Sequence, residues 1–370
     1  MYTRRTAIKG ALATLAIPSM ELLTMNRAAG QSEPVEPLRE IAAKKGRIYG
    51  GAALQSVLSK DTEYARIFAR QCGILVPEGE LKWGSLRPSP TTYNFAPADW
   101  LLSYTKANRM LMRGHTLVWY QSLPKWFDGY VNQGNAKQML QDHIATVVGH
   151  FSGNMHSWDV VNEILYPEDK IQGGWRNTPW LKLLGPGHIE MAFRLAAQAD
   201  PHALLVWNEN HIEDESYGHE NKRRIWLMQL QALLAKKVPI GGIGIQSHLV
   251  GGQGQVGGPK FRQFLTDVSN LGLKILITEL DVQDTGFVAD PKQRDVQVAD
   301  VYDRYLNAVL QNRSTIAVLT WGLSDQYSWL NTFVPRSDGL LARPLPFDAS
   351  FQPTLAYYAT RRAFQSANPI

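Results

Sequence analysis

The 370-residue chain contains 44% hydrophobic, 19% charged and 10% aromatic residues, which is typical of a globular protein with a sizeable core. This composition excludes a disordered, collagen-like or disulfide-stapled chain, and the single cysteine, Cys72, also argues against zinc-thiolate and iron–sulfur sites. The net charge of +5 comes from basic residues scattered among acidic ones, so we expect no nucleic-acid partner.

The N-terminal residues 1–30 are predicted to be an export signal. Arg4 and Arg5 precede an apolar stretch over residues 7–23 that is short and interrupted by Pro18, so a membrane anchor is not expected. The paired arginines resemble a twin-arginine signal, which exports folded proteins to the periplasm or the medium. The Sec route and a basic tail without a targeting role are the alternatives.

The rest of the chain is predicted to form one domain. Cleavage of the signal is expected around Ala28–Ala29. Residues 31–44 then form a linker and the lead-in to a domain over residues 45–370. The length of the chain also allows two domains.

Eight short apolar runs follow one another along this domain, at residues 47–54, 73–79, 110–119, 156–165, 203–210, 242–249, 274–282 and 314–323. Each has the length and the composition of a buried parallel strand, and amphipathic segments such as 61–72, 188–199 and 294–311 lie between them. The pattern predicts an α/β fold, a single (β/α)8 TIM barrel. Two doubly wound domains are the alternative, although no G-x-G-x-x-G motif follows any run.

Polar or large aromatic residues occupy the C-terminal ends of these runs, namely Glu78, His115, Glu163, Asn208, His248, Glu279 and Trp321. In a barrel the C-terminal ends of all strands meet at one face, where active sites lie. We therefore expect a polar cleft at that face.

Two glutamates stand out at this end of the predicted barrel. Strand alternation places Ile275, Ile277 and Glu279 on one face, so Glu279 is expected to follow an inward apolar row into the cleft. Asn162 and Glu163 are neighbours and would point in opposite directions in a regular strand. The strand must therefore end or bulge there if both serve the site.

A pair of carboxyl groups in a cleft suits the hydrolysis of glycosidic bonds. One group must be protonated to assist the leaving oxygen, and the other must be ionised to attack the sugar or activate water. A salt bridge at the barrel rim is the structural alternative for either glutamate taken alone.

The supply of tryptophan also indicates a sugar ligand. Flat aromatic faces stack on sugar rings, and five tryptophans fall at or just after strand ends: Trp83, Trp119, Trp175, Trp321 and Trp329. Packing is the alternative for some of them, and Trp158 and Trp226 are predicted to be core residues. No metal site is expected, because no H-x-H or H-E-x-x-H motif occurs and because His115 and His248 have no partners at ligand spacing.

These features resemble glycoside hydrolase family 10, the endo-1,4-β-xylanase family of (β/α)8 barrels. The matching motifs occur in order over about residues 45–360: GHTLVW at 114–119, WDVVNE at 158–163, GIGIQSHL at 242–249, ITELDV at 277–282 and TWGLSDQYSW at 320–329. The resemblance implies a retaining, cofactor-free enzyme that binds xylan or its oligomers and acts as a monomer. Glu163 would be the general acid/base and Glu279 the nucleophile, with carboxyl groups about 5–5.5 Å apart.

The resemblance also implies roles for residues around this pair. Asn162 matches a residue that binds the sugar 2-hydroxyl, His248 one that contacts the nucleophile with support from Asp281, and Gln246 one near the acid/base. Further residues match those that bind the sugars before the scissile bond: Glu78, Lys82, His115, Trp119, Trp321 and Trp329.

The chain departs from the family pattern at three places. Gly79 stands where the family usually has Asn, Tyr120 where it has His, and residues 208–211 read Asn-Glu-Asn-His rather than Asn-Asp-Tyr-Asn. We expect these changes to affect subsite affinity and chain preference rather than the reaction type. The alternatives are a related β-glycanase acting on β-glucan, cellulose or mannan, and a carbohydrate-binding barrel without turnover.

Overall fold

Parallel strands and helices alternate along residues 36–370, the part of the chain that the computed structural model describes. The strands are β1 Ile48–Ala53, β2 Ile74–Pro77, β3 Leu111–Gly114, β4 Ser157–Asn162, β5 Leu204–Glu209, β6 Gly242–Ile245, β7 His248–Val250, β8 Lys274–Gln283 and β9 Thr315–Thr320. The predicted export signal over residues 1–30, its cleavage region and the start of the linker lie outside the described residues. Export therefore stays a prediction.

The helices lie mostly between consecutive strands. They are α1 Leu38–Ala43, α2 Gln55–Leu58, α3 Thr62–Gln71, α4 Trp83–Leu86, α5 Ala96–Ala107, α6 Phe127–Tyr130, α7 Ala136–His150, α8 Pro179–Leu184, α9 Gly187–Ala199, α10 Tyr217–Ala235, α11 Pro259–Asn270, α12 Pro291–Leu310, α13 Leu330–Phe333 and α14 Leu355–Ser366. Short 3₁₀ turns occur at Pro167–Asp169 and Asp325–Tyr327. None of the helices within residues 36–370 is long and apolar enough to cross a membrane.

The sheet closes on itself. Strands β1 to β6 pair in sequence order, β6 pairs with β8, β8 with β9, and β9 with β1, and all of these pairs are parallel. The result is an eight-stranded barrel surrounded by helices. It confirms the predicted (β/α)8 fold and excludes two doubly wound domains for the described residues.

Helix α1 packs against β1 and the C-terminal helix α14. The backbone N–H of Leu38 donates to Gln71 Oε1 at 3.0 Å, which connects α1 to α3. The compact unit of the described residues begins at Glu36, so this helix, predicted as a lead-in to the barrel, belongs to the same unit as the strands.

The predicted strand over residues 242–249 is divided in two. Strand β6 ends at Ile245 and β7, which pairs with β8 alone, begins at His248. Between them Ser247 has a left-handed φ of +67°, and its hydroxyl lies 2.6 Å from that of Tyr305. The interruption changes the direction of the chain, and both Gln246 and His248 face the cavity above the barrel.

The barrel interior is apolar below this cavity. It is filled by Ala52, Ile74, Val76, Val206, Leu276, Ala317 and Leu319. The prediction that Ile275 and Ile277 face the barrel interior is wrong, because Leu276 occupies the interior. Strand β8 has an extra residue between Ile277, which pairs with Val318, and Leu280, which pairs with Thr320. This bulge returns Glu279 to the inner side.

Candidate active site

A cavity of about 670 Å³ opens at the C-terminal ends of the barrel strands. The sequence-predicted site residues all line it: Glu78, Lys82, His115, Trp119, Asn162, Glu163, Gln246, His248, Glu279, Asp281, Trp321 and Trp329. These residues come from the C-terminal ends of six of the eight barrel strands and the loops that follow them, as expected for a TIM barrel.

The end of strand β4 allows the neighbours Asn162 and Glu163 to face the same cavity. Asp159 pairs with Val206, and Val161 pairs with Trp207, so β4 contains one extra residue before its end. Glu163 follows the strand with a left-handed φ of +54°, which a residue with a Cβ adopts only at an energetic cost. The prediction that the strand ends or bulges at this point is confirmed.

A chain of buried amides connects the two glutamates. Gln246 Nε2 donates to Glu163 Oε1 at 2.9 Å and to Asn162 Oδ1 at 3.2 Å. On the other side, Asn208 Nδ2 donates to Asn162 Oδ1 at 2.9 Å and to Glu279 Oε1 at 2.8 Å. The orientation of the Asn208 amide is fixed by the Thr278 hydroxyl, which donates to Asn208 Oδ1 at 2.8 Å. Both carboxyl groups are thus held by directional hydrogen bonds.

A second set of contacts holds Glu279 from the side of β7. His248 Nε2 donates to Glu279 Oε2 at 3.2 Å, and its Nδ1 donates to Asp281 Oδ1 at 2.9 Å. The indole of Trp329 donates to Asp281 Oδ2 at 2.7 Å. Each oxygen of Glu279 therefore accepts a hydrogen bond, one from His248 and one from Asn208.

The electrostatics of this group favour an ionised Glu279. Burial raises the pKa of Glu279, but the hydrogen bond from His248 and the nearby His115, His248 and Lys82 outweigh it and bring the pKa to about 2. Burial lowers the pKa of His248, but the Asp281 and Glu279 carboxylates reverse this effect and raise it well above its ordinary value. The pair is an ionised carboxylate against an imidazolium.

One end of the cavity combines charged and aromatic side chains. Lys82 Nζ lies 5.1 Å from the ring centre of Trp119 and 5.6 Å from that of Trp321. His115 is oriented by Asp159, whose Oδ2 lies 2.9 Å from His115 Nδ1. Burial is the main cause that raises the pKa of Glu78 to about 7. Indole faces with nearby polar groups are suited to a sugar ring and its hydroxyls.

The part of the cavity near Glu163 combines residues noted as departures from the family pattern, Tyr120 and the pair Asn210–His211, with two that the sequence analysis did not name, Tyr166 and Arg176. Arg176 lies between two aromatic rings, with its guanidinium carbon 4.8 Å from the ring centre of Tyr120 and 4.6 Å from that of Tyr166. Asn210 and His211 line the same region. Tyr166 and Arg176 belong to the long connection after β4, where no recognised motif draws attention to them.

Asn208 is the other residue that the predicted site lacked. It was recognised as a polar strand end, but its contact with Glu279 depends on the pairing of β5 with β4 and β6, which a motif does not reveal.

Two of the tryptophans proposed for sugar binding are instead packing residues. Trp83 is buried and its ring stacks on His143 at 3.7 Å, and Trp175 stacks on Trp207 at 6.2 Å. The prediction that Trp158 and Trp226 are core residues is confirmed.

The fold and the site together define a class of protein. A parallel (β/α)8 barrel that holds two linked glutamates in an aromatic, polar cavity has the architecture of a barrel glycoside hydrolase. The comparison with known proteins identifies the family. Residues 37–363 match the family model of Glycosyl hydrolase family 10, and the chain belongs to this family.

Individual relatives agree with this assignment. The chain is 33% identical over 357 residues to endo-1,4-β-xylanase B of Thermotoga neapolitana, with 94% of this chain and 97% of the relative covered. The crystal structure of native xylanase 10B from Thermotoga maritima superposes with a TM-score of 0.80 at 35% identity, covering 89% of this chain and 98% of that chain. Xylanase 10B from Thermotoga petrophila RKU-1 in complex with xylobiose gives a TM-score of 0.79 at 33% identity, covering 91% and 99%.

Proposed function

We propose that the chain is a retaining endo-1,4-β-xylanase that hydrolyses internal bonds of xylan by double displacement. The observation that carries this proposal is the connected pair of glutamates, in which Glu279 is held ionised by His248 and Asn208 while Glu163 is held separately by Gln246. Membership of family 10 and the similarity to named endo-1,4-β-xylanases support the choice of xylan as substrate.

In the first step a carboxylate oxygen of Glu279 attacks the anomeric carbon of the sugar. Glu163 gives its proton to the glycosidic oxygen as the carbon–oxygen bond breaks, and a glycosyl ester of Glu279 forms. The low pKa of Glu279, about 2, keeps this group ionised and ready to attack at neutral pH.

In the second step water replaces Glu279 at the same carbon. Glu163, now a carboxylate, takes a proton from the water, the new carbon–oxygen bond forms, and the ester bond breaks to restore ionised Glu279. Two displacements at one carbon give retention of configuration. The same glutamate thus acts first as an acid and then as a base.

Asn162 is assigned to the sugar bound at the cleavage point. Its Oδ1 accepts hydrogen bonds from both Asn208 and Gln246, which fixes the orientation of the amide. Its Nδ2 makes a long contact of 3.5 Å with Glu163 Oε1, and the second Nδ2 hydrogen is left for a sugar. An amide donor held in this way can bind the 2-hydroxyl without reorganisation, which favours a bond that strengthens in the transition state. The end of the cavity formed by Glu78, Lys82 and the indoles would then bind the preceding sugars.

The proposal is tested by a substrate panel. The purified chain is incubated with glucuronoxylan, β-glucan, carboxymethylcellulose and mannan, and reducing ends are measured against the Glu279→Ala variant. Release from xylan that is absent in the variant is expected. Release from another glycan in preference to xylan would assign a different β-glycanase activity, and no release from any glycan by the folded chain would indicate a carbohydrate-binding barrel.

We further propose that the protein is exported by the twin-arginine route. The support is the pair Arg4 and Arg5 followed by a short apolar stretch. Replacement of both arginines by lysine is expected to retain the chain in the cytoplasm, as measured by fractionation of a bacterial host. Unchanged export of this variant would instead assign the Sec route.

We also propose that the enzyme acts as a monomer, because all residues of the assigned site line a cavity within one chain. Light scattering of the purified protein at micromolar concentration is expected to give the mass of a single chain. A dimer mass with full activity only above the dissociation constant would contradict this.

A further inference from the structure

Tyr120 is a cavity residue that the family pattern does not explain, because it stands in place of the usual His. Its ring lies against the guanidinium of Arg176, 4.8 Å from the guanidinium carbon, and its hydroxyl oxygen accepts a hydrogen bond from Gln121 Nε2 at 2.8 Å. These two contacts fix the ring and the hydroxyl on the side of the cavity where Glu163 lies.

The phenol of Tyr120 is a neighbour of the Glu163 carboxyl group. Because the Gln121 amide donates to the phenol oxygen, the phenol keeps its own hydrogen for another acceptor. Burial raises the pKa of Tyr120, and the charge of the Glu163 carboxylate and a hydrogen bond to it raise it further. Gln246 already donates to Glu163 Oε1. Besides Asn162 Nδ2, which lies 3.5 Å from the same oxygen, the Glu163 carboxyl group therefore has the amide of Gln246 and the phenol of Tyr120 as neighbours.

Arg176 contacts the same residue through the backbone. Its Nε donates to the Glu163 carbonyl oxygen at 2.7 Å, at the residue whose φ of +54° is left-handed. A non-glycine residue keeps such a conformation only when its surroundings hold it there. The rings of Tyr120 and Tyr166 on the two sides of the guanidinium restrict Arg176 and so restrict the carbonyl that it binds.

We propose that Tyr120 and Arg176 are positioning residues for Glu163, Tyr120 through the carboxyl group and Arg176 through the backbone carbonyl. The inference rests on the proposed function, in which Glu163 is the acid/base. It assigns to the altered position 120 a role in the proton transfers of the reaction, carried by a phenol.

Such a role has a kinetic signature that depends on the leaving group. Bond cleavage with a poor leaving group needs a well-placed proton, whereas a dinitrophenolate leaves without one. A variant that misplaces Glu163 therefore slows the first step on phenyl β-xylobioside much more than on 2,4-dinitrophenyl β-xylobioside. A variant that only weakens the fold or the binding of sugars slows both substrates by the same factor.

The test compares Tyr120→Phe, which keeps the ring beside Arg176 and removes only the hydroxyl, with Tyr217→Phe as a matched control. Tyr217 is 84% exposed and lies outside the cavity lining. We expect Tyr120→Phe to lower kcat/KM about tenfold on the phenyl substrate, and less than about twofold on the dinitrophenyl substrate. Tyr217→Phe is expected to match the parent.

Arg176→Met is the second variant, because methionine keeps an apolar side chain between the two rings while removing the donor to the Glu163 carbonyl. It is expected to show the same leaving-group dependence with a larger loss on the phenyl substrate. Equal losses on both substrates in both variants would overturn the inference.

The Glu163→Ala variant separates this inference from the proposed function. If Glu163→Ala shows the leaving-group dependence and Tyr120→Phe and Arg176→Met do not, the positioning role alone is wrong. If Glu163→Ala itself lacks the dependence, the acid/base assignment is wrong, and the inference falls with it.

Discussion

His248 Nε2 lies 3.2 Å from Glu279 Oε2, and this contact places an imidazolium against the carboxylate assigned as nucleophile. The imidazole is held from its other nitrogen by Asp281, which is itself held by the indole of Trp329. The positive charge of His248 is therefore stabilised by the Asp281 and Glu279 carboxylates. In turn, this charge lowers the pKa of Glu279.

Replacing His248 is predicted to shift the acid side of the pH profile. The pKa of Glu279, about 2 against an ordinary 4.5, keeps the nucleophile ionised at acidic pH. His248→Asn removes the positive charge, so the acid limb of kcat/KM on 2,4-dinitrophenyl β-xylobioside is expected to move up by about one to two pH units. Measurements from pH 3 to 7 test this. An acid limb that does not move would show that groups other than His248 keep Glu279 ionised.

Replacement of Asn208 is predicted to lower the catalytic activity strongly. Its Nδ2 is a donor to both Asn162 and Glu279, so Asn208→Ala leaves two buried acceptors short of a partner. We expect kcat/KM on xylobiosides to fall by about 10- to 100-fold, since each lost donor at the reacting groups weakens transition-state stabilisation.

The orientation of the Asn208 amide provides a finer test. Thr278→Val removes the hydroxyl that donates to Asn208 Oδ1 while preserving the shape of the side chain, and Thr278→Ser keeps the hydroxyl. The valine variant is expected to lose about three- to tenfold in kcat/KM and the serine variant less. A larger loss with serine than with valine would mean that packing, not amide orientation, matters at this position.

The ion pair between Glu209 and Lys222 is predicted to stabilise the structure behind the acid/base. Glu209 is fully buried, its Oε2 lies 2.8 Å from Lys222 Nζ, and its Oε1 accepts from the backbone N–H of Leu165 at 3.0 Å. Lys222→Met leaves an uncompensated buried carboxylate, so the free energy of unfolding is expected to fall by about 3–5 kcal/mol.

A surface pair supplies the control for this measurement. Arg194 and Glu190 form a partly exposed pair at 2.9 Å on α9, and Arg194→Met is expected to lower the free energy of unfolding by less than about 1 kcal/mol. The free energies of unfolding of both variants are measured by urea denaturation and compared with that of the parent. Similar small effects would mean that the Lys222 charge contributes little to stability.

Gly79 is predicted to be a site where affinity for xylan can be increased. A Cβ at this position would meet only Leu54 Cδ2, at 3.6 Å, so a β-carbon fits without displacing the backbone. Gly79→Asn restores the amide usual in the family and is expected to lower KM for xylo-oligosaccharides about fivefold with little change in kcat. Gly79→Ala, which adds no donor, is the control, and an equal effect of both would contradict the role of the amide.

The sequence was sufficient to predict the barrel and many of the residues that line the cavity at the C-terminal ends of its strands. Eight apolar runs of strand length and polar residues at their C-terminal ends follow from the requirements of a barrel that is buried inside and active at one face. The placement of Glu163 beside Asn162 was also predictable in outline, because two neighbours can face one cavity only if the strand ends or bulges.

Other features depend on pairing between distant strands. The interior of the barrel takes Leu276 rather than Ile277, and a bulge in β8 after Ile277 then returns Glu279 to the inner side. A break at Ser247 separates β6 from β7. Strand alternation contains no signal for either. The position of Arg176 depends on the path of a long connection, which local propensity does not determine.

The most direct test of the central claim is to trap the glycosyl-enzyme. The full chain is incubated with 2,4-dinitrophenyl 2-deoxy-2-fluoro-β-xylobioside, in which the fluorine slows both steps and the good leaving group favours the first. After proteolysis the label is located by mass spectrometry. We expect one fluoroxylobiosyl group per chain, attached to Glu279. A label on Glu163 or another carboxyl group, or turnover of xylan without any label, would contradict it.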